Sequence, residues 1–296
     1  MNNCSLSDKF MQHIKDTYHC KNILILDQKT QTDDSTVKCI LNYSKANQTK
    51  FMLVSRVASS KLVTRNYMNA ENVCSRVSSK TAAHIATPQT KGAFREFSYA
   101  IYPYYNSLSS LRILRAIENY SIFPKIISWH KNLVLESKRP VTDQEIPKIS
   151  YELSTLKTFF DNDREISLEI LSASNLVEKR KSQLYSCISH NDLWRGNILK
   201  NSKFIGEIKV IDWAGMSLDG NPFFDLSKLL ISFNINRHHS QSLYNQYRQL
   251  FECDTQGMGA YFYISMARLL ANIDNFPETR FRNLVRECKD HISKYN

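Results

Sequence analysis

Residues 186–230 constrain what this chain can fold into more than any other part of it, because a strand pattern there carries closely spaced polar residues. The stretch starts with a short apolar run that has the composition of a buried strand. That run leads into a polar loop containing Asp192 and Asn197. A second apolar run, 205–211, ends at Asp212. We therefore expect two strands to bring these three side chains to one edge of a small sheet.

Carboxylate and amide oxygens in this order suit phosphoryl transfer from a metal nucleotide. Charge on the phosphoryl oxygens requires Mg²⁺, which prefers hard oxygen ligands in octahedral geometry. Asn197 and Asp212 have that chemistry and are the predicted metal ligands. A separate carboxylate must orient the acceptor hydroxyl and take its proton. Asp192 is the predicted catalytic residue for that step.

The same motifs resemble those of the aminoglycoside phosphotransferase and choline kinase superfamily, small-molecule kinases built on the protein-kinase fold. The pattern H-x-D-x-x-x-x-N at 190–197 matches the family's catalytic loop. I-D-W at 211–213 resembles its metal-binding strand end. G-N-P-F-F-D-L at 220–226 resembles the next motif, whose Asp, here Asp225, braces the catalytic loop.

The resemblance implies an α+β, two-lobed protein-kinase-like fold, with a small β-rich N-terminal lobe and a larger, mainly helical C-terminal lobe. Residues 1–102 are predicted to form the nucleotide-binding lobe, 103–107 the hinge, and 108–296 the catalytic and substrate-binding lobe. Strand patterns at 22–26, 36–43, 51–57 and 94–102 agree with this division, and helical spacing dominates after 108. Proline followed by Asn-Ser before an apolar-periodic helix is typical of a hinge.

A nucleotide site in the N-terminal lobe is also implied by the resemblance. A kinase needs a cation on its third strand to hold the α and β phosphates. Arg56 is the candidate, as in choline kinases, and Lys61 is its rival. Val54 would share the face of Arg56 and line the adenine pocket. Adenine is expected to bond the hinge backbone around Tyr102 and Tyr104.

An acid on the helix that follows, predicted at 64–80, should pair with the phosphate-binding cation. Glu71 is the only acidic residue between Arg56 and Glu96, so it is the predicted partner of Arg56. A solvated surface glutamate is the alternative interpretation of this residue. The pairing depends on the fold implied by the resemblance.

Composition and charge limit the partners and the cellular location that we expect. The chain has 296 residues with a formal charge of +11, and no apolar run approaches the roughly 20 residues that cross a bilayer. Its seven cysteines are scattered without a C-x-x-C pair, which favours a reducing cytoplasm. The basic residues are dispersed and no nucleic-acid motif occurs, so no specific nucleic acid partner is expected. A peripheral contact with a membrane or an anionic substrate remains open, whereas a polycationic aminoglycoside would need more carboxylates.

The sequence therefore predicts an ATP- and Mg²⁺-dependent kinase whose acceptor is a hydroxyl of a sugar, a glycan or lipid headgroup, or an amino alcohol. Asn191 and Trp194 replace the Arg and Lys of the protein-kinase loop, which favours a small-molecule acceptor. The alternative is a catalytically degenerate kinase-fold protein with a binding or regulatory role. Its support is the phosphate loop, 27–35, which contains no glycine, and the missing third-strand lysine.

Overall fold

A computed structural model of the chain describes residues 6–28, 36–43, 49–56, 61–179, 184–201, 206–271 and 277–295. The chain forms two compact units. The first contains Met1–Glu118 and Ile198–Ala214, and the second contains Asn119–Asn197 and Gly215–Asn296. Packing thus groups 108–118 and 198–214 with the N-terminal residues. The lobe limits read from the sequence, with a hinge at 103–107, stay a prediction.

A five-stranded antiparallel sheet is the centre of the first unit, with the strand order β1-β2-β3-β5-β4. Its strands are β1 (Cys20–Gln28), β2 (Thr36–Tyr43), β3 (Thr49–Arg56), β4 (Thr90–Phe94) and β5 (Phe97–Pro103). Side chains alternate between the faces of a strand. One face therefore buries Val37, Cys39 and Leu41 of β2 in a core that helix α1 (Asp8–Tyr18) completes with Phe10 and Ile14.

The opposite face of the sheet packs against helix α2 (Lys61–Cys74). Val63 of α2 contacts Ala100 and Tyr102 of β5 there, and Phe51 and Leu53 of β3 pack beside them. The two faces of β3 consequently belong to different cores. Residues 51 and 53 face α2, whereas Met52 and Val54 lie in the core that contains α1.

The first unit also contains a small antiparallel sheet in the order β10-β9-β6. Its strands are β6 (Asn106–Ser107), β9 (Ile198–Lys200) and β10 (Ile208–Val210). Val210 of β10 donates its N–H to the His84 carbonyl at 2.7 Å and accepts from the Ala86 N–H at 2.9 Å. These bonds tie the end of β10 to the segment after the one-turn helix α3 (Ser79–Ala82).

Helices dominate the second unit. They are α4 (Arg112–Ser137, from 119 onward), α5 (Ile146–Phe159), α6 (Arg164–Lys179), α7 (Phe223–Phe233), α8 (Arg237–Leu250), α9 (Thr255–Ala271) and α10 (Glu278–Ser293). Helices α5, α6 and α9 pack together. Their interior includes a buried ion pair in which Arg268 Nε lies 3.4 Å from Glu152 Oε2. No helix within the described ranges has the length and apolar content to span a membrane.

One expectation about the site-bearing strands is wrong. Strand β8 (Tyr185–Ser189) pairs with β7 (Arg139–Pro140) and β11 (Ser217–Gly220) in the second unit. The predicted second strand, observed as β10, pairs instead with β9 in the first unit. The two strands therefore do not share a sheet, because residues 198–200 form an intervening strand that takes β10 as its partner.

Candidate active site

The loop after β8 is held by a buried carboxylate. Asp225, in the first turn of α7, is fully buried and accepts from the His190 N–H at 2.6 Å and from the Leu193 N–H at 3.3 Å. Burial raises the pKa of Asp225 to about 7, although the two N–H donors act to lower it. Asp225 thus braces the loop at 190–197, as its motif implied.

The loop turns sharply at Asn191, whose φ of 62° lies in the left-handed region. Asparagine tolerates this conformation better than most residues because its short polar side chain bonds locally. Here the Asn191 amide donates to the Gly215 carbonyl at 2.9 Å, and its Oδ1 accepts from the Ser189 hydroxyl at 2.9 Å. The side chain that replaces the protein-kinase arginine therefore stabilises the turn before Asp192.

Asp192 and Asn197 meet in the second unit. The Asn197 amide nitrogen donates to Asp192 Oδ2 at 2.9 Å and to the Asp192 carbonyl at 2.8 Å. The Asp192 side chain remains 42% exposed, so its carboxylate is both held and accessible. Because Nδ2 of Asn197 is used in this way, Oδ1 is the atom of its amide with the hard-oxygen chemistry that Mg²⁺ prefers.

Lys228 is a residue at this site that sequence reasoning missed. Its ammonium group, three residues after Asp225 on α7, donates to Asp192 Oδ1. Residues three apart on a helix are neighbours on its surface. The signal was therefore present in the sequence once Asp225 had been assigned as the brace.

Asp212 lies in the first unit and is exposed, with a φ of 67°. The backbone that follows it is fixed by α2. Asn66 Oδ1 accepts from the Trp213 N–H at 2.8 Å, and Asn69 Nδ2 donates to the Trp213 carbonyl at 2.9 Å. Trp213 itself is fully buried and anchors the turn. Sequence alone did not indicate that two asparagines of α2 would hold this segment.

The predicted metal ligands Asn197 and Asp212 are thus placed in different units. Each of the two side chains offers a hard oxygen of the kind that Mg²⁺ prefers. No cluster of three or more His, Cys, Asp and Glu side chains suited to a metal occurs among the described residues.

Glu71 pairs with Lys91, and its predicted pairing with Arg56 falls on a side chain outside the described part of the structure. Lys91 on β4 donates to both carboxylate oxygens of Glu71 at 2.8 Å, and its ammonium lies 4.6 Å from the centre of the Tyr67 ring. The side chains of Arg56 and Lys61 lie outside the described part of the structure. At position 56 the backbone pairs with Phe97 of β5.

Sheet register explains how Lys91 reaches Glu71. Lys91 is paired with Ala100, and Ala100 with Leu53, so these three residues occupy one row across the sheet. Ala100 and Leu53 face α2, which carries Glu71. Val54 is fully buried on the other face against α1, so the structure does not support its predicted contact with adenine.

Three buried hydroxyls lack a hydrogen-bond partner in the described part of the first unit. They are Tyr43 Oη on β2, Ser55 Oγ on β3 and Tyr102 Oη on β5. Tyr102 is 8% exposed and Tyr104 is 41% exposed. Burial raises the pKa of the Tyr102 phenol, and the charges of Asp212 and Glu71 add to that shift. Unsatisfied buried hydroxyls are uncommon in folded proteins, because such groups usually bond protein, ordered water or a ligand.

Comparisons with known proteins agree with the predicted fold. No protein-family profile and no curated protein sequence matches the chain. The structure of an aminoglycoside-3'-phosphotransferase of type VIII superimposes with a TM-score of 0.50 at 12% identity, covering 88% of this chain and 98% of that one. A protein assigned as a fructosamine-3-kinase from Haemophilus somnus 129PT gives a TM-score of 0.52 at 10% identity, covering 94% of this chain and 95% of that one.

The chain has a kinase-like fold. The resemblance to small-molecule phosphotransferases is confirmed in architecture, including the antiparallel sheet unit and the mainly helical unit. Identities of 10–12% carry the fold only, so the chemistry must be argued from the side chains described above.

Proposed function

We propose that this protein is a kinase that transfers the γ-phosphate of ATP to a hydroxyl group of a small molecule. The observation that carries the proposal is the fixed, accessible carboxylate of Asp192, which Asn197 holds in a loop that Asp225 braces. A general base needs this combination of restrained orientation and access to substrate. The kinase-like fold supports the same conclusion.

In the proposed reaction the acceptor oxygen attacks the γ-phosphorus, the bond from that phosphorus to the β–γ bridging oxygen breaks, and ADP leaves. Asp192 orients the acceptor hydroxyl and takes its proton. Asn197 Oδ1 and the Asp212 carboxylate are the proposed ligands of Mg²⁺, which supplies charge neutralisation on the phosphates. The asparagines of α2 keep the Asp212 turn in place.

Lys91 is the proposed cation for the α and β phosphates, in the role that the sequence assigned to Arg56. Its support is the two-oxygen contact with Glu71, the acid on α2 that should partner such a cation. The unpaired hydroxyls of Ser55 and Tyr102 belong to the same unit and are proposed as further nucleotide contacts. Backbone around Tyr102 and Tyr104 remains the proposed adenine contact.

A sugar, a glycan or lipid headgroup, or an amino alcohol is the proposed acceptor. The structural neighbours are named for an aminoglycoside and a fructosamine, both of which contain sugar hydroxyls. A formal charge of +11 disfavours an acceptor with several positive charges. The cytoplasm is the proposed location, as the cysteine pattern indicates.

Nucleotide binding and phosphate transfer test this function together. Calorimetry with ATP and GTP, with and without Mg²⁺, would be followed by a transfer assay with glucose and choline as acceptors. Asp212→Asn is expected to lose the Mg²⁺-dependent part of nucleotide binding. Lys91→Met is expected to weaken the binding of ATP more than the binding of adenosine. Asp192→Asn should bind nucleotide normally and lose about 10²- to 10⁴-fold in transfer.

Matched controls are Asp161→Asn, an exposed carboxylate in the turn after α5, and Lys9→Met, an exposed lysine on α1. Both should behave as wild type. Full transfer by Asp192→Asn would contradict the catalytic assignment. A wild-type protein that binds neither nucleotide would instead favour a binding or regulatory role on a degenerate kinase fold.

A further inference from the structure

The catalytic carboxylate has a cationic neighbour that comes from outside its loop. Lys228 on α7 donates to Oδ1 of Asp192, while Asn197 holds Oδ2. An ionised carboxylate has about four lone-pair positions, so the two contacts fix its plane and leave room for an acceptor hydroxyl. Both carboxylate oxygens are thereby restrained by side chains from different segments.

The surroundings of Lys228 restrain the position of its ammonium group. Its side chain is 17% exposed, and the ammonium lies 5.6 Å from the centre of the Phe224 ring. Lys228 also interacts electrostatically with Asp225, the brace of the same loop. The ammonium is therefore held close to two carboxylates, one buried and one half exposed, and it lowers the repulsion between them.

The loop position that carries a lysine in protein kinases does not supply this charge. Trp194 occupies the position that carries Lys in the protein-kinase loop, and its side chain is 44% exposed. Transferred phosphoryl groups carry negative charge, and kinases place cations close to them. In this chain Lys228 is a cation from a helix that directly contacts the proposed base.

We propose that Lys228 is a positioning residue for the reaction at Asp192: it fixes the orientation of the carboxylate and places a positive charge beside the site of phosphoryl transfer. The inference rests on the proposed kinase function. It differs from a purely structural ion pair, because an ion pair with a half-exposed partner contributes little to stability. Loss of Lys228 should therefore reduce turnover while leaving folding almost unchanged.

Lys228→Met, which keeps the length of the side chain without its charge, tests this role. We expect kcat to fall about 10- to 100-fold, the loss typical of one charge-assisted hydrogen bond. The dissociation constant for Mg²⁺·ATP and the melting temperature should stay close to wild type. Lys228→Arg should recover part of the activity. The control is Lys138→Met, a lysine with 21% exposure whose partner is Glu252.

Two measurements separate positioning from structure. In an Asp192→Asn background, Lys228→Met should lower kcat by a smaller factor than in the wild-type background, because the part of its effect that acts through the carboxylate is already lost. Added ethylamine should restore part of the turnover of Lys228→Ala by replacing the missing ammonium. Unchanged kcat in Lys228→Met, or an equal further loss in the Asp192→Asn background, would overturn the proposal.

The assay uses ATP with water, glucose and choline as acceptors, so the proposal and the function it rests on fail in different ways. Wild-type transfer that persists in Lys228→Met overturns only the role of Lys228. Absence of nucleotide binding and of transfer by the wild-type protein overturns both. Loss of nucleotide binding in Lys228→Met would show that the residue serves the nucleotide instead, and would also contradict the proposed role.

Discussion

Both carboxylate oxygens of Asp225 accept hydrogen bonds from the backbone of the loop at 190–197, and no part of the side chain reaches solvent. Burial disfavours the charged form, which is why the pKa of this carboxyl rises to about 7 from an ordinary value of 3.8. Asp225 thus both holds the loop and titrates at a raised pKa. Its protonation should therefore change the free energy of unfolding with pH.

Between about pH 4 and pH 7 the folded state binds the Asp225 proton more readily than the unfolded state does. The contribution of this group to the free energy of unfolding therefore falls as pH rises through that window, by up to about 1.4 kcal/mol per pH unit. Asp225→Asn cannot titrate. The difference in free energy of unfolding between this variant and wild type should therefore change with pH by the same slope. Urea denaturation of both proteins at pH 5, 6, 7 and 8 measures it.

Above pH 7 the difference between the two proteins should level off. The amide of the Asp225→Asn variant has only one acceptor oxygen for the two backbone donors, so the variant should be less stable than wild type at pH 5 by about 1–3 kcal/mol. Parallel pH curves for the two proteins would contradict the assignment of the shift to Asp225.

At the scale of elements, the start of α4 is joined to β9 by a buried ion pair. Lys200 Nζ lies 2.6 Å from Glu118 Oε1, and the two side chains are only 8% and 7% exposed. The second oxygen of Glu118 accepts from the Ser109 N–H at 2.7 Å. Buried charges in such a pair cost little while they stay together, and a great deal when one is removed.

Glu118→Gln or Lys200→Met is accordingly expected to lower the free energy of unfolding by about 3–5 kcal/mol, because each leaves an unpaired buried charge. The double variant Glu118→Leu with Lys200→Met should cost less than either single change. The exposed pair Lys157–Asp161 provides the control, and Lys157→Met should cost about 0–1 kcal/mol. Additive losses in a double-mutant cycle would show that the two charges are not coupled.

At the scale of the whole molecule, acid sensitivity should arise in the helical unit. His130 on α4 is fully buried and hydrogen-bonds the Tyr247 hydroxyl at 2.8 Å, and His291 on α10 bonds the Tyr244 hydroxyl at 2.9 Å. Burial lowers the pKa of His130 to about 3 and that of His291 to about 4. Helix α8 thus carries two tyrosines that each bond a neutral histidine.

Because these folded-state values lie below the ordinary 6.5, the unfolded state gains protons first as pH falls. Stability should be fully present above pH 6.5 and decrease below it, by about 2 kcal/mol per histidine between pH 7 and pH 5. His130→Asn should flatten this decrease. Thermal or urea unfolding followed from pH 7 to pH 5 is the measurement, with the exposed His238→Asn as control.

A curve for His130→Asn as steep as that of the wild type would assign acid unfolding to other groups. The control should follow wild type, because the ring of residue 238 is exposed in the folded state as well. The contribution of Asp225 to the free energy of unfolding falls as pH rises, whereas that of the buried histidines falls as pH decreases. The two effects are therefore separable in one set of titrations.

Local spacing in the sequence predicted the loop at 190–197, and the motifs there predicted the fold class. The H-x-D-x-x-x-x-N pattern predicted the chemistry of residues 190–197, and the structure brings Asp192 and Asn197 into contact. Loop contacts of this kind span five residues and depend on turn geometry, which nearby residues specify. Period-two alternation similarly predicted strand 36–43, observed as β2 with the same bounds. The catalytic and metal roles themselves remain predictions.

Tertiary structure alone decided which distant residues become partners. Glu71 pairs with Lys91 because strand pairing places β4, β5 and β3 in one row and packs α2 on that face. Asp192 pairs with Lys228, 36 residues away, because Asp225 docks α7 against the loop. Residue spacing in the sequence predicts contacts within one helical turn or one strand. Sheet register and the face on which a helix packs come from burying a shared core, so only the folded molecule reveals them.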